Sequence, residues 1–160
     1  MADEKENKPN LRRTVLWARF DRMINMSPSQ IRAARDSEEG KDSGLSKEEA
    51  REAGANLLTG QEASKRLENL LKRVSDYRGQ YKKIPTLTDE EWGLIGTVVR
   101  FNSRFFYNIG DLKDEEGNDT PKSMSLKLRG LDGSKVKSLP NKDSVKIEVK
   151  SALKDKGKDS

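Results

Sequence analysis

Along residues 59–78 the chain reads TGQEASKRLENLLKRVSDYR, and its apolar Ala63, Leu67, Leu70, Leu71 and Val74 stand three and four apart. That period predicts a helix with one core-facing stripe. Lys65, Arg66, Lys72 and Arg73 fall between those positions, so the outer face is basic. Thr59 and Glu62 form a capping box at the start. Residues 11–26, LRRTVLWARFDRMINM, predict an earlier helix capped by Asn10, with Leu16, Phe20, Met23 and Ile24 on one face. Val15 and Trp17 flank that face, Arg12, Arg13, Arg19 and Arg22 point largely outward, and the large apolar area of Trp17 suits a core anchor. Ser27, Pro28 and Gln30 give the cap, first-turn proline and reciprocal capping partner of a short second helix whose inner face is Ile31 and Ala34.

Gly40 and Gly44 then break the pattern in a loop, and residues 36–52 hold seven acidic against three basic groups. Ser46 with Glu49 is a further capping box, although the helix it opens has few large apolar residues before Leu57 and Leu58, and Gly54 weakens it. Gly79 and Pro85 mark a connection, since proline forces Ile84 out of the helical region. Thr88 caps the last strong helix, 89–110, with Asp89, Glu90 and Glu91 at the positive end of its dipole and Gly110 as its stop. Two stripes run along it: Trp92, Ile95, Val99, Asn102 and Phe106 on one side, and Leu94, Val98, Phe101 and Phe105 on the other. Past Gly110, Met124, Leu126 and Leu128 alternate with polar residues, as do Val145, Ile147 and Val149, around an Asp132-Gly133 turn. Two strands alone are rarely stable in water, so a tail that docks by a few residues is favoured over a hairpin, with disorder from Asn141 onward.

Composition limits the core. Of 160 residues, 32% are hydrophobic and 37% charged, so only a small core can form and polar ends lack the apolar area that offsets ordering entropy. The net charge of +5 is segregated: residues 11–110 carry 18 basic and 14 acidic groups, residues 111–121 carry one and five, and residues 122–160 carry 11 and five. A basic domain and a basic tail are thus joined by an acidic connector, a balance that favours polyanionic partners, although in the tail the lysines are spread out with no interleaved aromatic residue, which suits a merely solvated segment. The absence of cysteine and histidine excludes disulfides, thiolate metal sites, cysteine nucleophiles and histidine acid–base catalysis. The start has no apolar run of signal-peptide length, and no segment approaches the roughly 20 apolar residues of a membrane span.

Catalytic patterns are missing as well. The carboxylates fall at helix starts and in loops, where capping and solvation account for them. DLKDEEGNDT lacks the alternating ligands and terminal glutamate of a calcium loop, and neither GLIG nor GANLLTG is followed by the Gly-Lys-Ser/Thr of a phosphate loop. Ser27, Ser64 and Ser103 have no histidine to activate them. The chain reads as a non-enzyme with no cofactor and no metal site.

Several blocks together resemble a known family: NMS at 25–27, an acidic Gly-Ser loop, GQEASKRLENLLKR at 60–73, LTDEEW and VVRFNSR. They are similar to the bacterial and fungal family called domain of unknown function 3140. Its typical ending, Ser-Leu-Lys-Asn-Trp-Gly-His-Asp-Pro, is matched by Ser125, Leu126, Lys127, Gly130 and Asp132, whereas Leu128, Arg129, Leu131 and Gly133 replace the Asn, Trp, His and Pro. No role of that Trp or His therefore carries over. Over roughly residues 12–135 the resemblance implies a compact helical domain without an established activity, in a family some of whose members are labelled DNA-binding.

The expectation is an all-α fold: a small bundle of three or four helices over 10–110, a disordered N-terminus at 1–9, an acidic connector at 111–121, and a polar, largely disordered or weakly docked tail at 122–160 that docks around 124–131. Two functions compete. One is low-specificity nucleic-acid binding, of DNA first, by Lys65, Arg66, Lys72, Arg73, Arg100 and Arg104, since residues 64–83 hold seven basic against two acidic groups and Arg100 and Arg104 lie one turn apart. The other is a protein-interaction or regulatory module, or self-association, through Leu94, Val98, Phe101 and Phe105. No membrane partner is expected, and the expected location is cytoplasmic, with nucleoid or nucleus as alternatives.

Overall fold

The structure, a computed structural model, describes residues 11–41, 60–79, 83–107 and 111–158. The helix opened by Ser46, the Thr59 cap and the Gly110 stop lie outside them. All regular elements of the described residues are helical, as an all-α fold requires: α1 (Leu11–Met23), α2 (Pro28–Asp36), the single turn α3 (Glu38–Lys41), α4 (Gly60–Arg73), α5 (Asp89–Phe106), α6 (Pro121–Lys127) and α7 (Lys142–Lys158). Short 3-10 turns occupy Ser75–Tyr77 and Gly133–Lys135.

The caps set where these helices begin. Ser27 Oγ accepts from the Gln30 N–H at 3.2 Å while the Ser27 N–H donates to Gln30 Oε1 at 2.9 Å, and Thr88 and Glu91 repeat the same exchange at the same distances. Each box satisfies donors that the first turn of a helix leaves open. Helix α4 ends at Arg73, short of the expected 78, and tightens into the 3-10 turn. The next residues serve α1 instead. Arg78 pairs with Asp21, and its Nη2 donates to the carbonyls of Asp21 and Ile24 at 3.1 and 3.0 Å, closing the C-terminal end of α1. Gly79, at φ +84°, turns so that its N–H reaches Asp21 Oδ2 at 2.8 Å.

The core forms where the inner stripe of α4 meets α2 and α5, while α1 packs on α5 and on α7. Trp17, Phe20, Ile31, Leu67 and Ile95 are fully buried in one cluster. Trp17 is thus the anchor its size suggested.

The tail completes this core. Met124, Leu126, Leu128 and Leu131 are buried in the same cluster as the α4 stripe. Their alternation fits the disfavoured hairpin, but Thr120 and Pro121 start a helix: Thr120 Oγ1 accepts from the Ser123 N–H at 3.3 Å, and Pro121 occupies the first turn. The turn after α6 reaches Gly130 at φ +83°. There Asn25 clamps the tail, its N–H donating to Gly130 O at 3.1 Å and its side chain exchanging hydrogen bonds of 3.1 and 2.8 Å with the backbone of Asp132. The acidic connector is a folded turn, in which Asp114 Oδ1 accepts from the Glu116 and Asn118 N–H groups, both at 2.9 Å. Residues 142–158, read as disordered from sequence, form α7. Val145 and Val149 lie one turn apart and pack on Val15 and Ala18 in a separate small cluster, and Glu148 pairs with Arg22. Ile147, at 69% exposure, shows why the Val-Ile-Val alternation is not a strand: only the residues four apart turn inward.

Candidate nucleic-acid interface

All six cations nominated from sequence are exposed: Lys65, Arg66, Lys72 and Arg73 on α4, and Arg100 and Arg104 on α5. With about 100° per residue, Lys65, Arg66, Asn69, Lys72 and Arg73 occupy one outer arc of roughly 120°. The buried residues Ala63, Leu67, Leu70 and Leu71 take the opposite side. Arg100 and Arg104 share an outer arc of α5 with Gly93 and Thr97 by the same geometry. Helices α4 and α5 pack together. Arg73, at the end of α4, pairs with Glu91, at the start of α5. A shallow recess of about 330 Å³ along this seam is lined by Arg66, Leu70, Arg73, Glu90, Glu91 and Leu94.

The cations differ in what holds them. Lys72 and Arg73 are tied to carboxylates, whereas Lys65, Arg66 and Arg100 enter no ion pair among the described residues. Lys72 Nζ lies 2.9 Å from Glu68 Oε2, on a carboxylate that is buried at the inner edge of the basic arc. Two further cations reach that carboxylate from α2. Arg32 Nε donates to Oε2 at 3.0 Å, and Arg35 Nη2 lies 2.9 Å from Oε1. The Arg32, Lys72 and Arg35 contacts overcome the cost of burial and pull the Glu68 pKa from 4.5 down to about 2. Sequence reasoning missed Arg32 and Arg35. Their only signal was position: both flank the inner face of a helix rich in arginine, but nothing local announced a partner on α4. Because Arg32 remains half-exposed beside Lys72, the positive surface extends from α4 onto α2.

The rival apolar face is largely covered. Leu94 and Val98 are buried and Phe101 is half-buried, while Phe105 alone stays exposed. The tail covers Phe101, over whose ring Arg129 lays its guanidinium at 3.6 Å from the centre, and the Arg129 carbonyl accepts from Asn102 Nδ2 on the neighbouring stripe at 3.2 Å. Burial pushes the Arg129 pKa down to about 10, which leaves it charged at neutral pH.

An open groove of about 500 Å³ runs between α2, the 113–119 turn and α6. Within it Asp119 is held by Lys113 at 2.9 Å and Lys127 at 2.7 Å. Among the described residues no helix is long and apolar enough to cross a membrane, and no cluster of acidic side chains is arranged to hold a metal ion. The chain matches no protein-family model, no curated protein and no solved structure. The geometry of this face therefore carries the functional reading.

Proposed function

We propose that the protein binds nucleic acid with low sequence specificity through the outer arcs of α4 and α5, using Lys65, Arg66, Arg100 and Arg104, with Lys72 and Arg73 contributing beside their carboxylate partners. The observation that supports this reading is the exposure of all six cations on two helices that pack together, while Leu94 and Val98 of the competing apolar face are buried. Arginine and lysine on helix faces engage phosphates through charge and hydrogen bonds without reading bases. Neither arc inserts into a groove by any motif in the sequence, so affinity should come from the backbone of the ligand.

Electrophoretic mobility shifts with unrelated duplexes at several salt concentrations test this. Similar affinities across sequences are expected, with a log–log slope of about −0.9 per phosphate neutralised. Reversing Lys65 and Arg66 to glutamate should weaken binding and reduce that slope by about two units, with the helical circular-dichroism signal intact because neither side chain is tied to a described carboxylate. Absence of binding at low salt would sink the proposal.

A further inference from the structure

The C-terminal end of α5 combines two features that phosphate binding alone does not use. Among the described residues the only exposed large aromatic rings are Phe105 and Tyr107, at 38% and 62% exposure, and they flank Arg104, Tyr107 about 60° and Phe105 about 100° from it on opposite sides around the helix. Tyr107 keeps helical backbone angles as the cap of α5. At 3.6 residues per turn it therefore falls on the same arc as Arg100 and Arg104, three residues beyond the latter. Phe105 lies on the other flank of Arg104, whose guanidinium stands 5.7 Å from its ring centre.

Both rings are held in place from behind. Phe105 stacks on Phe101 with ring centres 4.4 Å apart and a tilt of 30°, and Phe101 is in turn fixed by Arg129. Tyr107 meets Phe106 edge-on at 5.0 Å, and its hydroxyl accepts from the Leu139 N–H at 2.9 Å. An exposed apolar ring loses little further freedom when a base stacks on it if it is already anchored this way. Paired bases within a duplex have their faces occupied by neighbouring base pairs. Unpaired bases offer those faces to aromatic side chains while cations follow the backbone.

We infer that the ligand of this ridge is single-stranded nucleic acid, with phosphates following Arg100 and Arg104 and bases stacking to either side of them, on Tyr107 and on Phe105. This rests on the polyanion reading above and narrows it to one class of ligand.

Fluorescence anisotropy with a labelled oligothymidylate and with a duplex of equal length, at one salt concentration, tests it. The full chain should bind the single strand more tightly. Replacing both rings, Phe105→Leu with Tyr107→Leu, should weaken single-strand binding by about five- to 150-fold per base unstacked and leave duplex binding unchanged. Tyr107→Phe, which keeps the ring but gives up the Leu139 hydrogen bond, should lose far less single-strand affinity than the double variant. Should the double variant fold poorly, Phe105→Trp gives an independent readout: its emission should be quenched by oligothymidylate and not by the duplex, against the constant signal of the buried Trp17 and Trp92. Equal loss on strand and duplex, or no loss on either, overturns the stacking site while the polyanion reading stands. Binding of neither probe overturns both.

Discussion

Glu68 shows how much one side chain organises here. Arg32 and Arg35 from α2 and Lys72 from α4 converge on this one acid, and its pKa is drawn down to about 2. A carboxyl whose folded-state pKa lies below its unfolded value stabilises the fold fully above the unfolded value, and that contribution is lost as pH falls through the folded one. Glu68→Gln should therefore lower the melting temperature at neutral pH, and its deficit should shrink as pH falls from about 5 to about 2. A deficit that stays constant across that window would mean the charge of Glu68 holds nothing together. Gly130 tests the tail at the same scale. Its φ of +83° disfavours any side chain, and a Cβ there would lie 2.9 Å from Ile24 Cδ1 and 3.0 Å from Leu67 Cδ2. The left-handed backbone costs about 1–2 kcal/mol and overpacking about as much again. Urea melts of Gly130→Ala should show a loss of at least about 2 kcal/mol, and a loss below about half a kcal/mol would mean the tail is not seated on α1 and α4 as described.

At the scale of elements, what could be read from sequence was what is locally encoded. The starts of α2 and α5 follow from residues three apart that exchange hydrogen bonds with their own backbone, and the α4 stripe follows from its period. The end of α4 was not readable, because Arg78 and Gly79 are recruited by Asp21, more than fifty residues earlier in the chain. The tail elements were misread for a different reason. Positions two apart fit a strand, but Val145 and Val149 also fit a helix, and only packing on α1 chooses between the two. The candidate site divides the same way. Exposure of the six cations was implicit in helical phase, whereas the pairing of Arg73 with Glu91 and the arrival of Arg32 and Arg35 at Glu68 depend on how helices pack. Tyr107 was not singled out because its exposure depends on what packs beside the end of α5, which local pattern does not encode.

For the whole molecule, the tail has two halves with different work. Met124, Leu126, Leu128 and Leu131 sit in the main core. Each is worth about 1.5–3 kcal/mol when fully buried, so together they rival the roughly 5–15 kcal/mol that holds a domain folded. A chain ending at Asp119 should show no cooperative melt. Residues after Pro140 are different, because Val145 and Val149 occupy a small cluster of their own on α1. They also carry six lysines against four acidic groups, so removing them lowers the net charge from +5 to +3. That deletion separates the two basic surfaces. If phosphates are bound by α4 and α5, the protein ending at Pro140 should melt cooperatively, bind nucleic acid, and keep its salt slope within about one unit of the full chain. If instead the melt survives and binding vanishes, the polyanion surface is the outer face of α7, where Lys146 and Lys150 lie one turn apart, and the cations of α4 and α5 serve only to solvate the bundle.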